Sequence, residues 1–214
     1  MSTINGDDGV RIEDREAVAL GTVYGVLANL YEEPSREVYD RLRDGSLFAE
    51  LDGIIDRANL DVSVPTVETE DDYDLLCARF NDLFAVGYPD PVVPRYESEH
   101  VDRSWTDVNL DLARAYEYFD VEIDETEREH HDYLPLELEF VGYLSRLAAT
   151  GETDARRARA DFLDRHLEPF LASMEETVAD EPETGIYANV IDFTERFVRA
   201  DRDRLTSQMT VNAE

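Results

Sequence analysis

Glu127 and His130 stand three residues apart, the spacing that sets a carboxylate and an imidazole on one face of a carboxylate-bridged di-iron helix. That chemistry needs a second such pair and two more glutamates from other helices. The chain has 4 histidines, and His130 and His131 are adjacent, so on a helix they point about 100° apart. No metal site is expected. Lysine is absent, which excludes a Gly-x-x-x-x-Gly-Lys-Ser/Thr phosphate loop. The one cysteine, Cys77, falls on an apolar helical face and reads as core, not as a nucleophile. Arg156-Arg157 lies mid-chain on a helical pattern and is not an export signal of this protein. Catalytic groups and cofactors are therefore not expected, and the chain does not read as an enzyme. What remains is chemistry for binding, by carboxylates and aromatic rings, in which the chain is rich. Carboxylates in a site with apolar walls accept guanidinium groups through bidentate, charge-assisted hydrogen bonds.

Helices must position these groups. Leu20, Val23, Tyr24, Leu27, Leu30 and Tyr31 follow the three-four spacing of one helix face. So do Tyr73, Leu76, Cys77, Phe80, Leu83 and Phe84, and later Tyr187, Val190, Ile191, Thr194, Phe197 and Val198. Shorter helices are predicted near 36–43, 47–58, 106–119, 134–149 and 155–178. Nothing sustains the period-two alternation of strands. Asp61 to Thr69 reads as a loop. Val86 to Arg103 carries Gly87, Pro89, Pro91 and Pro94 and cannot be a helix, because proline lacks a donor and restricts its predecessor. A long loop inside a helical domain is often functional. Asp132 is expected to cap the next helix, with Pro135 in its first turn and Leu136, Phe140, Tyr143, Leu144 and Leu147 on its buried face. The fold class is all-α: a flexible acidic start over 1–11, one helical domain over 12–207 with a proline-rich loop between two halves, and a flexible end over 208–214.

The charge balance narrows the partners. There are 51 acidic residues against 20 basic ones, for a net charge of -31 over 214 residues, yet 43% of residues are hydrophobic. That apolar content is too high for a disordered acidic chain. The shell excludes non-specific nucleic-acid binding, which requires cationic neutralisation of phosphates. It also implies strong self-repulsion, which molar salt screens as the Debye length falls to about 3 Å. A salt-rich cytoplasm, as in a halophilic archaeon, is the expected setting. One cysteine permits no internal disulfide, which fits a reducing interior. Met1 to Gly9 has neither the basic nor the apolar region of a signal peptide. No apolar run approaches the roughly 18 residues of a membrane span.

Four short stretches carry a resemblance. They are Leu27-Ala-Asn-Leu-Tyr31-Glu-Glu-Pro34; Phe80-Asn-Asp-Leu-Phe84 leading to Pro94-Arg-Tyr-Glu-Ser98; Asp132-Tyr-Leu-Pro-Leu-Glu-Leu-Glu-Phe140; and Phe162-Leu-Asp-Arg-His166-Leu167. In order and spacing the chain resembles the TorD/DmsD family of helical chaperones, with NarJ-type relatives, over roughly Val18 to Val198. It departs from the family pattern at Tyr133, where His is usual, and at His131, where Pro is usual. The resemblance implies a cytoplasmic maturation chaperone, monomeric or homodimeric. Its client would be the catalytic subunit of a molybdopterin oxidoreductase such as a DMSO, TMAO or nitrate reductase. It would hold that subunit, or its twin-arginine signal peptide, until the cofactor is inserted. Tyr31, Phe84, Tyr96 and Leu134 would take the apolar part of the peptide. Glu97, Asp132 and Glu137 would take its arginines, and the polar contact of the family histidine would pass to the Tyr133 hydroxyl or to a nearby histidine. The alternatives are a helical carboxylate-metal enzyme and a structural assembly subunit without peptide recognition.

Overall fold

The computed structural model describes residues 12–87, 90–123 and 130–211. The expected acidic start and the Glu127 half of the Glu-x-x-His pair lie outside them. The described residues form an all-α bundle without a named strand. Helix α1 (Ile12–Leu30) lies along α6 (Leu134–Ala149), and α3 (Ser46–Ala58) packs on α1 from another side. Small residues allow the first contact: a Cβ added at Gly21 would sit 2.8 Å from the Gly142 carbonyl oxygen. Leu20, Val23, Tyr24 and Leu27 are buried as their spacing predicts. Each such side chain contributes about 1.5–3 kcal/mol by leaving water.

Local chemistry sets the boundaries. The Ser35 hydroxyl accepts from the Val38 N–H at the head of α2 (Arg36–Arg43), and the Asp72 carboxylate from the Leu75 N–H at the head of α4 (Tyr73–Phe84). Ser104 does the same for α5 (Trp105–Tyr118). These caps satisfy donors that a helix start leaves without an intrahelical acceptor. Cys77 is half-buried rather than fully in the core.

The single helix predicted near 155–178 is divided. Helix α7 (Thr153–Phe162) passes into a π turn over Leu163–Leu167 and then α8 (Glu168–Ala179). Pro169 is the physical reason. It has no N–H for the Arg165 carbonyl, and its ring would strike that carbonyl in a regular α-helix. Widening the preceding turn, with the Glu168 N–H bonded to the Leu163 oxygen, relieves the clash. The last helix, α9 (Tyr187–Val211), packs on α8 and continues past residue 207, the expected end of the helical part. No helix among the described residues is long and apolar enough to cross a membrane.

Candidate functional site

Residues 94–100, between α4 and α5, fold back onto the start of α6. The Glu97 N–H donates to the Asp132 carbonyl and the Leu134 N–H to the Arg95 carbonyl, each at 2.9 Å, an antiparallel bridge centred on Tyr96 and Tyr133. A 3-10 turn over Glu97–Glu99 follows. Asp132 completes this clasp. Its Oδ2 accepts the Ser98 N–H at 3.1 Å and the Ser98 hydroxyl at 2.5 Å. Asp132 therefore does not cap α6, contrary to the expectation. The N-cap is Tyr133, whose side chain makes no capping bond. The donors at the head of α6 are already used: Leu134 on Arg95, and Leu136 and Glu137 on the Tyr133 carbonyl, while Pro135 has none.

Below the clasp lies a set of buried acids. Glu97, Asp132 and Glu137 each have 0% exposure. The His166 Nδ1 lies 2.9 Å from Glu97 Oε2, and its Nε2 lies 3.6 Å from Asp111 Oδ2. Arg103 reaches Asp111 at 2.9 Å, and Arg165 pairs with the same carboxylate. The π turn supplies His166 to this set. Satisfaction is incomplete. Glu97 Oε1, Asp132 Oδ1 and both carboxyl oxygens of Glu137 have no hydrogen-bond partner among the described residues. Burial, then the charges of Glu97 and Asp132, push the Glu137 carboxyl well above the usual carboxylate range, which favours the neutral acid.

Tyr133, the residue that replaces the expected histidine, has a definite place. Its hydroxyl donates to Glu32 Oε2 at 2.8 Å and accepts from the Arg95 guanidinium at 2.7 Å. Burial raises its pKa, so it remains a donor. Arg95 also donates to the Tyr31 carbonyl at 2.6 Å and lies over the Phe80 ring. His100 fastens the far side of the clasp: its Nε2 is 2.8 Å from the Pro94 carbonyl and its Nδ1 is 3.0 Å from the Ser173 hydroxyl. Burial pushes the His100 imidazole pKa down, toward the neutral ring.

Beside the clasp is a cavity of about 320 Å³, lined by Phe84, Pro94, Tyr96, Trp105, His130 and Asp132 among others. Tyr96 and Trp105 are exposed, and the His130 ring stands edge-on to both. Of the expected site residues, Phe84, Tyr96 and Asp132 meet this cavity. Tyr31 and Leu134 are core; Tyr31 donates to the Thr194 hydroxyl at 3.0 Å and packs edge-on to Phe84. Glu97 and Glu137 lie in the interior, not on an open groove wall. The sequence reading missed Arg95, Ser98, Trp105 and Asn109, whose side chain accepts the His131 N–H at 2.8 Å. It also gave His166 no role of its own. Three signals were at hand: Arg95, Ser98 and His166 belong to the quoted stretches. Among the described residues no three His, Cys, Asp or Glu side chains are grouped to hold a metal ion.

The profile of the family described as nitrate reductase delta subunit matches residues 47–176, which run from α3 to α8. The chain belongs to the nitrate reductase delta subunit family. The kinship with TorD/DmsD and NarJ-type proteins, read from four stretches, is thereby borne out. Among similar proteins of this kind, the selenate reductase assembly chaperone of Thauera selenatis is 30% identical over 92% of this chain and 94% of its own length. The perchlorate reductase assembly chaperone of Dechloromonas aromatica (strain RCB) is 27% identical over 98% and 99%. The chlorate reductase assembly chaperone of Ideonella dechloratans is 27% identical over 92% and 94%. In fold, a crystal structure described as a redox enzyme maturation protein from Archaeoglobus fulgidus superposes with a TM-score of 0.52. It is 17% identical and covers 86% of this chain and 93% of the other. The four family-like stretches converge at the clasp: the first supplies Tyr31 and Glu32, the second Arg95 to Ser98, the third Asp132 and Tyr133, and the fourth His166.

Proposed function

We propose that the protein is a cytoplasmic maturation chaperone that holds the catalytic subunit of a molybdopterin reductase until its cofactor is inserted, without turnover of its own. The relatives that assemble selenate, perchlorate and chlorate reductases support the client class. One observation carries the site: Asp132, fully buried, lines an aromatic cavity with its Oδ1 unpartnered among the described residues. Such a group calls for an explanation, and a guanidinium donor supplies one. In this reading the twin-arginine signal peptide of the client docks at the clasp. Tyr96 and Trp105 contact its apolar part or stack on an arginine, and Asp132 receives the guanidinium. Phe84 shapes the cavity, and Tyr31 and Leu134 support it from the core. Tyr133 latches the loop. Glu97 and Glu137 lie a layer deeper, behind Asp132, with no exposed surface.

Pull-down from the native cytoplasm should recover a molybdopterin-enzyme catalytic subunit; recovery of unrelated partners alone overturns the function. Calorimetry with the signal peptide of that subunit tests the site. Asp132→Asn should lower affinity roughly ten- to hundredfold, the effect of losing about 1.5–3 kcal/mol of charge-assisted hydrogen bonding. A folded variant that binds as wild type moves the site elsewhere. The net charge of -31 supports a salt-rich cytoplasm. The helical fold should melt higher as KCl rises to molar concentration, and equal melting at low and high KCl removes that inference.

A further inference from the structure

A second concave surface, sharing no lining residue with the clasp cavity, runs along α1. Two cavities of about 790 Å³ and about 340 Å³ lie end to end there, both lined by Thr22. Val18, Thr22, Gly25 and Val26 form one face of α1 at this groove, with Val18 47% exposed. Along α1 the lining extends from Arg15 to Leu30, about 22 Å at helical rise.

Two features of the groove are unexplained by the fold. The first is Gly25. In a helix interior glycine costs about 0.5–1 kcal/mol relative to alanine. Gly21, one turn earlier, is required by the close approach of α6, but a Cβ at Gly25 would meet nothing within 4 Å. Its missing side chain only lowers the groove floor, which admits another backbone. The second is charge. The whole chain has 51 acids against 20 bases. The groove reverses that ratio: Arg15, Arg41, Arg57 and Arg146 line it, against the carboxylates Glu16 and Asp56. Pairing removes one charge of each sign: Glu16 is held by Arg204 at 2.6 Å, and Arg41 by Glu50 at 2.5 Å. Arg15 and Arg57 have no ion pair among the described residues, and Arg146 spends its hydrogen bond on the neutral Gly21 carbonyl.

We infer that this groove docks an acidic amphipathic helix of a partner polypeptide, about four turns long. Its apolar stripe lies over Val18, Gly25 and Val26, and its carboxylates face Arg15 and Arg57. This is the helix-in-groove mode, with i, i+3, i+4 and i+7 anchors. Charge disfavours three competing occupants. A two-fold pairing of the groove with itself sets arginines against arginines. A twin-arginine peptide meets the same repulsion, so the surface is separate from the one at the clasp. An anionic membrane is repelled by the acidic shell and is too flat for a concave site.

The probe is a display library of 16-residue helices with apolar residues fixed at i, i+3, i+4 and i+7 and with Glu, Gln or Lys varied at the flanks. Wild-type protein should enrich Glu over Lys. The enriched helix, made with a fluorophore, should lose at least tenfold in affinity to Gly25→Leu and to the Arg15→Gln/Arg57→Gln double variant. It should bind Asp132→Asn as it binds wild type. Leucine is the better helix former, so Gly25→Leu retains the fold. Enrichment of Lys, no enrichment, undiminished binding to folded Gly25→Leu, or displacement by phosphatidylglycerol vesicles overturns the inference.

Discussion

Asp201 and Glu137 are both carboxylates with no exposed surface, and their surroundings differ in kind. Asp201, on α9, accepts the Tyr24 hydroxyl from α1 at 2.8 Å and pairs with Arg159 from α7. Both oxygens are used and the charge is balanced. Burial, with the Asp201 charge, raises the Tyr24 pKa, so its hydroxyl stays a donor. Glu137 lies near two other buried acids, Glu97 and Asp132, and neither of its oxygens has a partner among the described residues. The first arrangement ties three helices together. The second carries the cost of burying polar groups that the fold does not satisfy. Stability alone selects the first; the second is the kind of cost a binding site bears.

The contrast breaks most visibly at Asp201. Asp201→Asn leaves Arg159 buried with its charge uncompensated, which costs about 3–5 kcal/mol. The melting temperature should fall by about 2–4 °C for each kcal/mol, with client binding by the remaining folded protein unchanged. A loss under 1 kcal/mol would show that the core pair is not holding the helices. His166→Ala comes next. It leaves Glu97 Oε2 without its partner and should cost about 1–3 kcal/mol. Hydrogen exchange should speed at the Glu97 and Ser98 amides, which are held by Asp132, and not at α1. Uniform acceleration across the bundle would assign His166 to general packing.

Much of the bundle was legible because helical periodicity is a local signal, and Leu27, Phe80 and Val190 lie in the core as their spacing requires. The division at Leu163–Leu167 was also within reach, since Pro169 cannot sit in an unbroken α-helix without adjustment. The chemistry of the clasp was not. Asp132 meets Ser98 across 34 positions and His166 meets Glu97 across 69, and periodicity says nothing about contacts of that range. In a chain with 51 acids, a carboxylate is read by default as solvated. Glu139 is indeed exposed, two residues from the buried Glu137. Residue type and spacing found the segment; only the fold distinguishes which of its acids faces inward.

Glu137→Gln has the smallest effect at acid pH and is the sharpest test, because its sign is unusual for an acid. The Glu137 pKa is raised by burial first and then by Glu97 and Asp132, so the folded protein holds this proton more tightly than the unfolded chain. The stability it contributes is complete below the ordinary carboxylate pKa and is lost as pH rises through the elevated one. Glutamine has the shape of the neutral acid and cannot ionise. The variant should therefore match wild type at acid pH and melt progressively higher than wild type as pH rises, whereas Asp201→Asn melts lower throughout that range. Thermal unfolding followed by circular dichroism from about pH 4 to 9 at fixed salt measures the divergence. Parallel curves for the two proteins would mean that Glu137 does not change its proton in that window, and the contrast with Asp201 would then rest on geometry alone.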